Sequence, residues 1–148
     1  MSSKLPIGYI DIRVFAHATE DQKKVESATK NLFPISLQET LIFQKTNLTG
    51  HHSNPILLFT AKLTDRKLLP LTLETLGASL SALDKEQLNQ DIDLRIEKGN
   101  LYLRFDKQAA FFGLTRLSQN DPIHLKIHFK NKTKQEIIDL AMQTGLLP

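Results

Sequence analysis

A row of basic side chains occupies every second position near the C-terminal end of the chain. His124, Lys126, His128 and Lys130 alternate with apolar residues over positions 123–130. Because side chains of a strand point alternately to the two faces of a sheet, this spacing predicts a strand buried on one face and basic on the other. Such a row suits contacts to phosphate groups. An ordinary solvated strand face is the competing interpretation.

Basic charge is concentrated in the same third of the sequence. Residues 101–134 contain seven Lys and Arg against two Asp, whereas the whole chain has 19 Lys and Arg against 16 Asp and Glu. A basic, partly aromatic sheet surface can follow a nucleic-acid backbone, because each phosphate that is neutralised releases counterions. The charge distribution therefore favours nucleic-acid binding.

Two loops contain residues that could hold a phosphate or a metal ion. Residues 17–21 (His-Ala-Thr-Glu-Asp) occupy a strand-to-helix junction, but Glu20 and Asp21 would repel an anion there and are interpreted as capping residues. His51 and His52 lie among turn-forming residues, and a metal site would need a further ligand such as His17 or Asp21. A turn that contacts RNA is favoured over a metal site.

The sequence contains no recognisable catalytic motif. It has no Walker loop, dinucleotide fingerprint, HExxH or nucleophile elbow, and no cysteine for thiol chemistry or Cys-based zinc sites. We expect no catalytic residue, no metal and no cofactor, with a metal-dependent nuclease or phosphoesterase as the less favoured alternative. The size of 148 residues predicts a single domain over residues 1–148. The absence of a long apolar run or signal core predicts a cytoplasmic protein without a membrane partner.

The hydrophobic periods predict the order β-α-β-β-α-β-β-short α-β-α. Strands are expected at residues 7–16, within 37–46 (centred on 41–43), and at 56–63, 91–97, 100–106 and 123–130. Helices are expected from Thr19 to Pro34, over 69–83, as one or two buried turns within 107–113, and from a Thr133/Glu136 capping box to Gly145. This order predicts the α+β class: a two-layer α/β sandwich whose mixed, mostly antiparallel sheet carries two or three helices on one face.

Four local expectations can be checked directly. Thr19 should cap the first helix, and Leu83 should end the buried leucine stripe of the second helix. Strands 91–97 and 100–106 should form a hairpin around Gly99 with Leu94 facing the core, and Phe111 and Phe112 should be buried.

Several motifs together resemble the archaeal family of small RNA-binding proteins that were once predicted to be exosome subunits. They are residues 17–21 followed by Lys24-Val25, residues 50–56 (Gly-His-His-Ser-Asn-Pro-Ile), residues 101–110 (Leu-Tyr-Leu-Arg-Phe-Asp-Lys-Gln-Ala-Ala) and Asp121-Pro122-Ile123. One departure is Ser53, where the family usually has Gly. The resemblance implies an α/β sandwich similar to the large-subunit ribosomal protein that binds the small ribosomal RNA. It also implies non-catalytic binding of structured or double-stranded RNA, with exosome or ribosome-associated proteins as further partners.

Charge and placement give the candidate RNA contacts. Shape-based recognition of A-form RNA through phosphates and 2′-hydroxyls suits Lys, Arg and His, and predicts weak sequence preference with strong salt dependence. A protein-interaction adaptor of an RNA-processing complex is the alternative, since a basic face can also meet an acidic protein. The candidate contacts are Arg13, His51, His52, Arg104, Lys107, Lys126, His128 and Lys130.

Overall fold

The computed structural model describes residues 6–49 and 54–148, which form one six-stranded sheet and six helices. The sheet order is β2-β3-β1-β6-β5-β4, and its strand pairs are antiparallel. The α+β class is confirmed, with an antiparallel rather than mixed sheet. The strands are β1 (Ile7–His17), β2 (Gln44–Thr49), β3 (Pro55–Leu63), β4 (Ile96–Glu97), β5 (Asn100–Phe105) and β6 (Ile123–Phe129). The helices are α1 (Gln22–Lys30), α2 (Ile35–Gln38), α3 (Leu68–Ser79), α4 (Ala82–Arg95), α5 (Lys107–Phe111) and α6 (Lys134–Gln143).

The two central strands, β1 and β6, have the two-faced pattern that the sequence predicts. Ile10, Ile12 and Val14 of β1 are buried, as are all four apolar positions of β6. Burying each such side chain contributes roughly 1.5–3 kcal/mol relative to leaving it in water. The core therefore fixes which side of these strands stays available for other contacts.

The β3 strand is internal, as its apolar residues on both faces predict. It pairs with β2 on one side and with β1 on the other. Leu57 and Phe59 enter the core, whereas Ile56 and Leu58 are half-buried on the opposite face.

The prediction for residues 37–46 is wrong. Residues 35–38 form α2, Ile42 is exposed, and the second strand begins only at Gln44. Leu41 and Phe43 are buried, and the Phe43 ring packs edge-on against Phe59 at 6.1 Å. β2 is an edge strand with every residue exposed, so its position depends on pairing with β3 rather than on a hydrophobic period.

The first helix begins later than predicted, because Asp21 rather than Thr19 is its N-cap. The Asp21 carboxylate accepts hydrogen bonds from the backbone N–H of Lys23 at 2.9 Å and of Lys24 at 3.4 Å. The interpretation of Asp21 as a capping residue is therefore confirmed.

The predicted strand at residues 91–97 is mostly helix. Ser81 caps α4 by accepting from the Asp84 N–H, and only Ile96 and Glu97 pair with β5. Leu94 is 88% exposed, and Leu83 is likewise exposed. Leu88, Ile92 and Ile96 are buried at intervals of four, a spacing that fits both a helix and a strand, so the pattern alone was ambiguous. The turn at Gly99 is confirmed, with φ +81°.

The helices α5 and α6 form where the sequence predicts them, with one error in burial. In α5, Ala109 and Ala110 are buried as predicted, but the expected burial of Phe111 and Phe112 is wrong because both rings reach solvent. The capping box of Thr133 and Glu136 is present in α6.

A glycine allows α3 to approach the end of α6. A Cβ on Gly77 would lie 2.7 Å from the carbonyl carbon of Gly145 and 2.8 Å from the carbonyl oxygen of Thr144. Because backbone atoms cannot yield as a flexible side chain does, this contact requires glycine. Among the helices of the described residues, none is long and apolar enough to cross a membrane.

Candidate nucleic-acid interface

Three adjacent strands present polar side chains on the side of the sheet opposite the core. In β1, β6 and β5 the residues pair across the strands in three rows, with β6 in the middle of each row. We call this surface the basic sheet face. Its rows are Arg13–His124–Arg104, Asp11–Lys126–Tyr102 and Tyr9–His128–Asn100.

In the first row, His124 lies between two arginines, one on each side, whose positive charges are permanent. Burial lowers the pKa of His124 below its usual value, and the guanidinium groups of Arg13 and Arg104 lower it further, while Asp121 opposes them. His124 is therefore mainly neutral at pH 7. Arg13 is exposed on this surface, so its guanidinium can donate hydrogen bonds to an anion.

The other two rows are organised around an aromatic ring. Tyr9 stacks on His128 with ring centroids 4.9 Å apart, and the Lys62 ammonium lies 4.4 Å from the centre of the Tyr9 ring. The Lys126 ammonium lies 5.8 Å from the same centre, and His128 Nδ1 is 2.8 Å from Oδ1 of Asn100. These contacts hold the lysines and the histidine above the sheet in a defined arrangement.

The middle of this surface is a concavity of about 610 Å³, lined mainly by residues of the first two rows and by Thr60 and Ala61 of β3. An extended polyanion can lie along such a surface.

Four of the residues that the sequence nominated come together on the basic sheet face: Arg13, Arg104, Lys126 and His128. Lys130 is exposed directly after β6, and its backbone N–H donates to Pro6 at 2.7 Å. His51 and His52, with the turn around Ser53, lie outside the described residues.

The structure also adds members that sequence reasoning did not nominate. His124 belongs to the same alternating row as Lys126 and is not among the contacts predicted from the sequence. Tyr9 and Lys62 join through the pairing of β1 with β6 and β3, and no local signal in the sequence reveals that pairing.

Lys107 lies apart from this surface and is almost buried, with its side chain 11% exposed. Its ammonium is 2.7 Å from Asp121 Oδ2, 3.0 Å from Glu20 Oε1 and 2.8 Å from the carbonyl oxygen of Phe15. The ammonium donates hydrogen bonds to Phe15 and Glu20 and forms ion pairs with both carboxylates, so it is already occupied within the protein. We therefore do not include Lys107 in the interface that we propose.

The same cluster brings together three groups that could ligate a metal. One ligand atom each of His17, Glu20 and Asp121 lies within 4.8 Å of the others, and His17 Nε2 is 3.0 Å from Asp121 Oδ2. The Lys107 ammonium already supplies positive charge to both carboxylates. This arrangement fits a structural junction between β1, α1, α5 and the start of β6.

Comparison with known proteins finds relatives that match most or nearly all of this chain. A family model described as RNA binding matches residues 9–129. RNA-binding protein PAB1135 of Pyrococcus abyssi is 36% identical over 150 residues, covering 99% of this chain and 97% of that protein.

Two solved structures share the fold. Protein AF2318 of Archaeoglobus fulgidus has a TM-score of 0.78 and 25% identity, over 93% of this chain and 99% of that one. Mth689 of Methanothermobacter thermautotrophicus has a TM-score of 0.74 and 26% identity, over 96% and 98% respectively. With a family match that reaches from within β1 to the end of β6, this chain belongs to the archaeal family of RNA-binding proteins.

Proposed function

We propose that this protein binds structured RNA, with double-stranded segments preferred, through the basic sheet face and without catalysing a reaction. The observation that carries the proposal is the row Arg13–His124–Arg104, held in register across the three neighbouring strands β1, β6 and β5. Membership of the RNA-binding family supports RNA as the partner.

The spacing of the row suits the sugar–phosphate backbone of a helix. Neighbouring strands lie about 4.8 Å apart, so Arg13 and Arg104, one strand on each side of β6, are separated by roughly 10 Å. The minor groove of A-form RNA is wide and shallow and displays 2′-hydroxyls, so side chains of a flat row can contact it and the phosphates beside it. Guanidinium groups bind phosphate oxygens in paired hydrogen bonds, and Lys126 and Lys130 add charge along the neighbouring strand.

We propose RNA binding alone for this protein, and no association with a particular complex. An association with the exosome, with ribosomal RNA or with ribosome-associated proteins stays a prediction of the family resemblance. A cytoplasmic location also stays a prediction.

The test is an anisotropy titration of labelled RNA duplex, of one of its single strands and of a DNA duplex of the same sequence. The duplexes should exceed the ~16 base pairs that a double-stranded-RNA domain spans. We expect the RNA duplex to bind most tightly, with a salt slope of about −0.9 for each phosphate contacted. No binding of the RNA duplex at low salt would reject the proposal and favour a protein-interaction adaptor.

Proton uptake at His124 should accompany RNA binding. Its pKa is lowered in the free protein, and phosphates placed against the row raise it because they favour the imidazolium form. When binding raises the pKa of a group, the affinity increases as the pH falls from the pKa in the complex to the pKa in the free protein. We therefore expect duplex affinity to increase several-fold from pH 7.5 to about pH 6, around the ordinary histidine pKa of about 6.5.

His124→Asn should remove most of this pH dependence, because asparagine does not titrate. The control is His17→Asn, which removes a histidine outside the basic sheet face and should leave the pH dependence in place. An unchanged pH profile in His124→Asn would show that the proton is taken up elsewhere.

A further inference from the structure

A second cavity lies beside the basic sheet face, at the edge of the sheet where β4 ends. Its volume is about 480 Å³, within the roughly 300–1,000 Å³ of small-molecule sites. Tyr102 and Arg104 line it and also belong to the basic sheet face, so the two surfaces are continuous. We call it the edge cavity; its other lining residues are Asp91, Leu94, Arg95, Glu97 and Gln119.

The edge cavity exists because the pairing of β5 is incomplete. β4 pairs only with Asn100 and Leu101, and the next backbone contact on that side is the Ser118 N–H with the carbonyl oxygen of Arg104 at 3.1 Å. In the part of the chain that the structure describes, no strand covers this side of Tyr102 and Leu103. A ligand can therefore reach the end of the sheet between the two contacts.

The charges around the edge cavity balance one another. Asp91 and Glu97 offset Arg95 and Arg104, so the lining has no formal net charge at neutral pH. An isolated phosphate gains little from such a lining. A neutral heteroaromatic ring fits better, because its edge carries both donors and acceptors while its faces are apolar.

The apolar and polar groups of the cavity are suitably mixed for a nucleobase. The Tyr102 ring is partly exposed, and Leu94 projects into solvent with nothing in the core to contact. Arg104 Nη1 is 3.4 Å from Gln119 Oε1, a long hydrogen bond that a stronger acceptor could replace. Stacking on an aromatic or guanidinium plane is a common mode of binding an unpaired base.

Arg95 has a buried donor that no residue in the described part of the chain uses. Its side chain is only 11% exposed, and its ion pair with Asp91 is 3.7 Å long. Among the described residues, none accepts a hydrogen bond from its buried Nε. Because an unpaired buried donor is unfavourable, acceptors of a bound base near this guanidinium would be favoured.

Resting on the RNA-binding function above, we propose that the edge cavity receives one unpaired nucleotide, extruded from an RNA helix that lies on the basic sheet face. A base inside an intact helix is stacked and paired and cannot enter the cavity. A bulged base is already unpaired, so its insertion costs less. The protein therefore binds a bulged duplex more tightly than a fully paired one.

The experiment compares a fully paired RNA duplex with the same duplex carrying one bulged nucleotide. We expect the bulged duplex to bind about tenfold more tightly, in line with the energy of one base stacked on an aromatic side chain. A 2-aminopurine at the bulge should change its fluorescence on binding. Leu94→Ala, at an exposed position outside the basic sheet face, should lower the preference several-fold, because it removes an apolar contact to the base, and leave paired-duplex affinity unchanged.

The matched control is Leu83→Ala, which removes an exposed leucine at the opposite end of α4 and should keep the preference. Equal binding of paired and bulged duplexes by the unmodified protein would overturn the edge-cavity proposal alone. An equal loss of affinity for both duplexes in Leu94→Ala would also overturn it. Failure to bind either duplex would instead overturn the RNA-binding function on which it rests.

Discussion

Replacing Arg13 and Arg104 together with alanine is expected to weaken RNA duplex binding by about 100-fold. Each guanidinium contributes a charge-assisted hydrogen bond to a phosphate, worth roughly 1.5 kcal/mol, and the two contacts lie in one row across the sheet. The loss should be similar for duplexes of different sequence, since phosphate contacts do not read bases. Anisotropy titrations at several salt concentrations should show the salt slope reduced by about 2.

The control for this double variant must remove the same charge elsewhere. Lys23→Ala with Lys24→Ala fulfils this condition, because both lysines are exposed on α1. We expect that variant to change duplex affinity by much less. If both double variants weaken binding equally, the affinity reflects overall charge, and the basic sheet face is not the interface.

Lys107→Met is expected to destabilise the folded protein by about 2 kcal/mol. The substitution leaves the Glu20 and Asp121 carboxylates close together without their shared cation. Breaking a fully buried ion pair costs about 3–5 kcal/mol. We expect less here because the side chains of Glu20 and Asp121 are 32% and 42% exposed, so water screens part of the repulsion.

Urea denaturation measures this change as a lower midpoint at an unchanged slope. The matched control is Lys24→Met, the same substitution at an exposed α1 position, which should change the stability by less than about 0.5 kcal/mol. Adding Asp121→Asn to Lys107→Met should restore part of the loss, because it removes one unpaired charge. A Lys107→Met protein that is fully stable but no longer binds RNA would instead make Lys107 a direct RNA contact, as the sequence predicts.

The parts of the fold that the sequence predicts correctly are those that depend on neighbouring residues. The alternation in β1 and β6, the turn at Gly99 and the capping box of α6 each require only a few consecutive side chains. The incorrect predictions concern elements whose structure depends on residues far away in the chain. β2 is an edge strand placed by β3, and Leu88 and Ile92 have a spacing that suits a helix and a strand equally.

In the candidate interface too, the sequence predicts some features and only the tertiary structure determines the others. Alternation and charge in the sequence were sufficient to nominate Arg13, Arg104, Lys126 and His128, because side-chain direction in a strand is a local property. Only the strand order and register align Arg13, His124 and Arg104 and bring Lys62 to Tyr9. Only the tertiary structure takes Lys107 to Glu20, 87 positions away in the chain, because an ion pair depends on distance in space and not on sequence spacing.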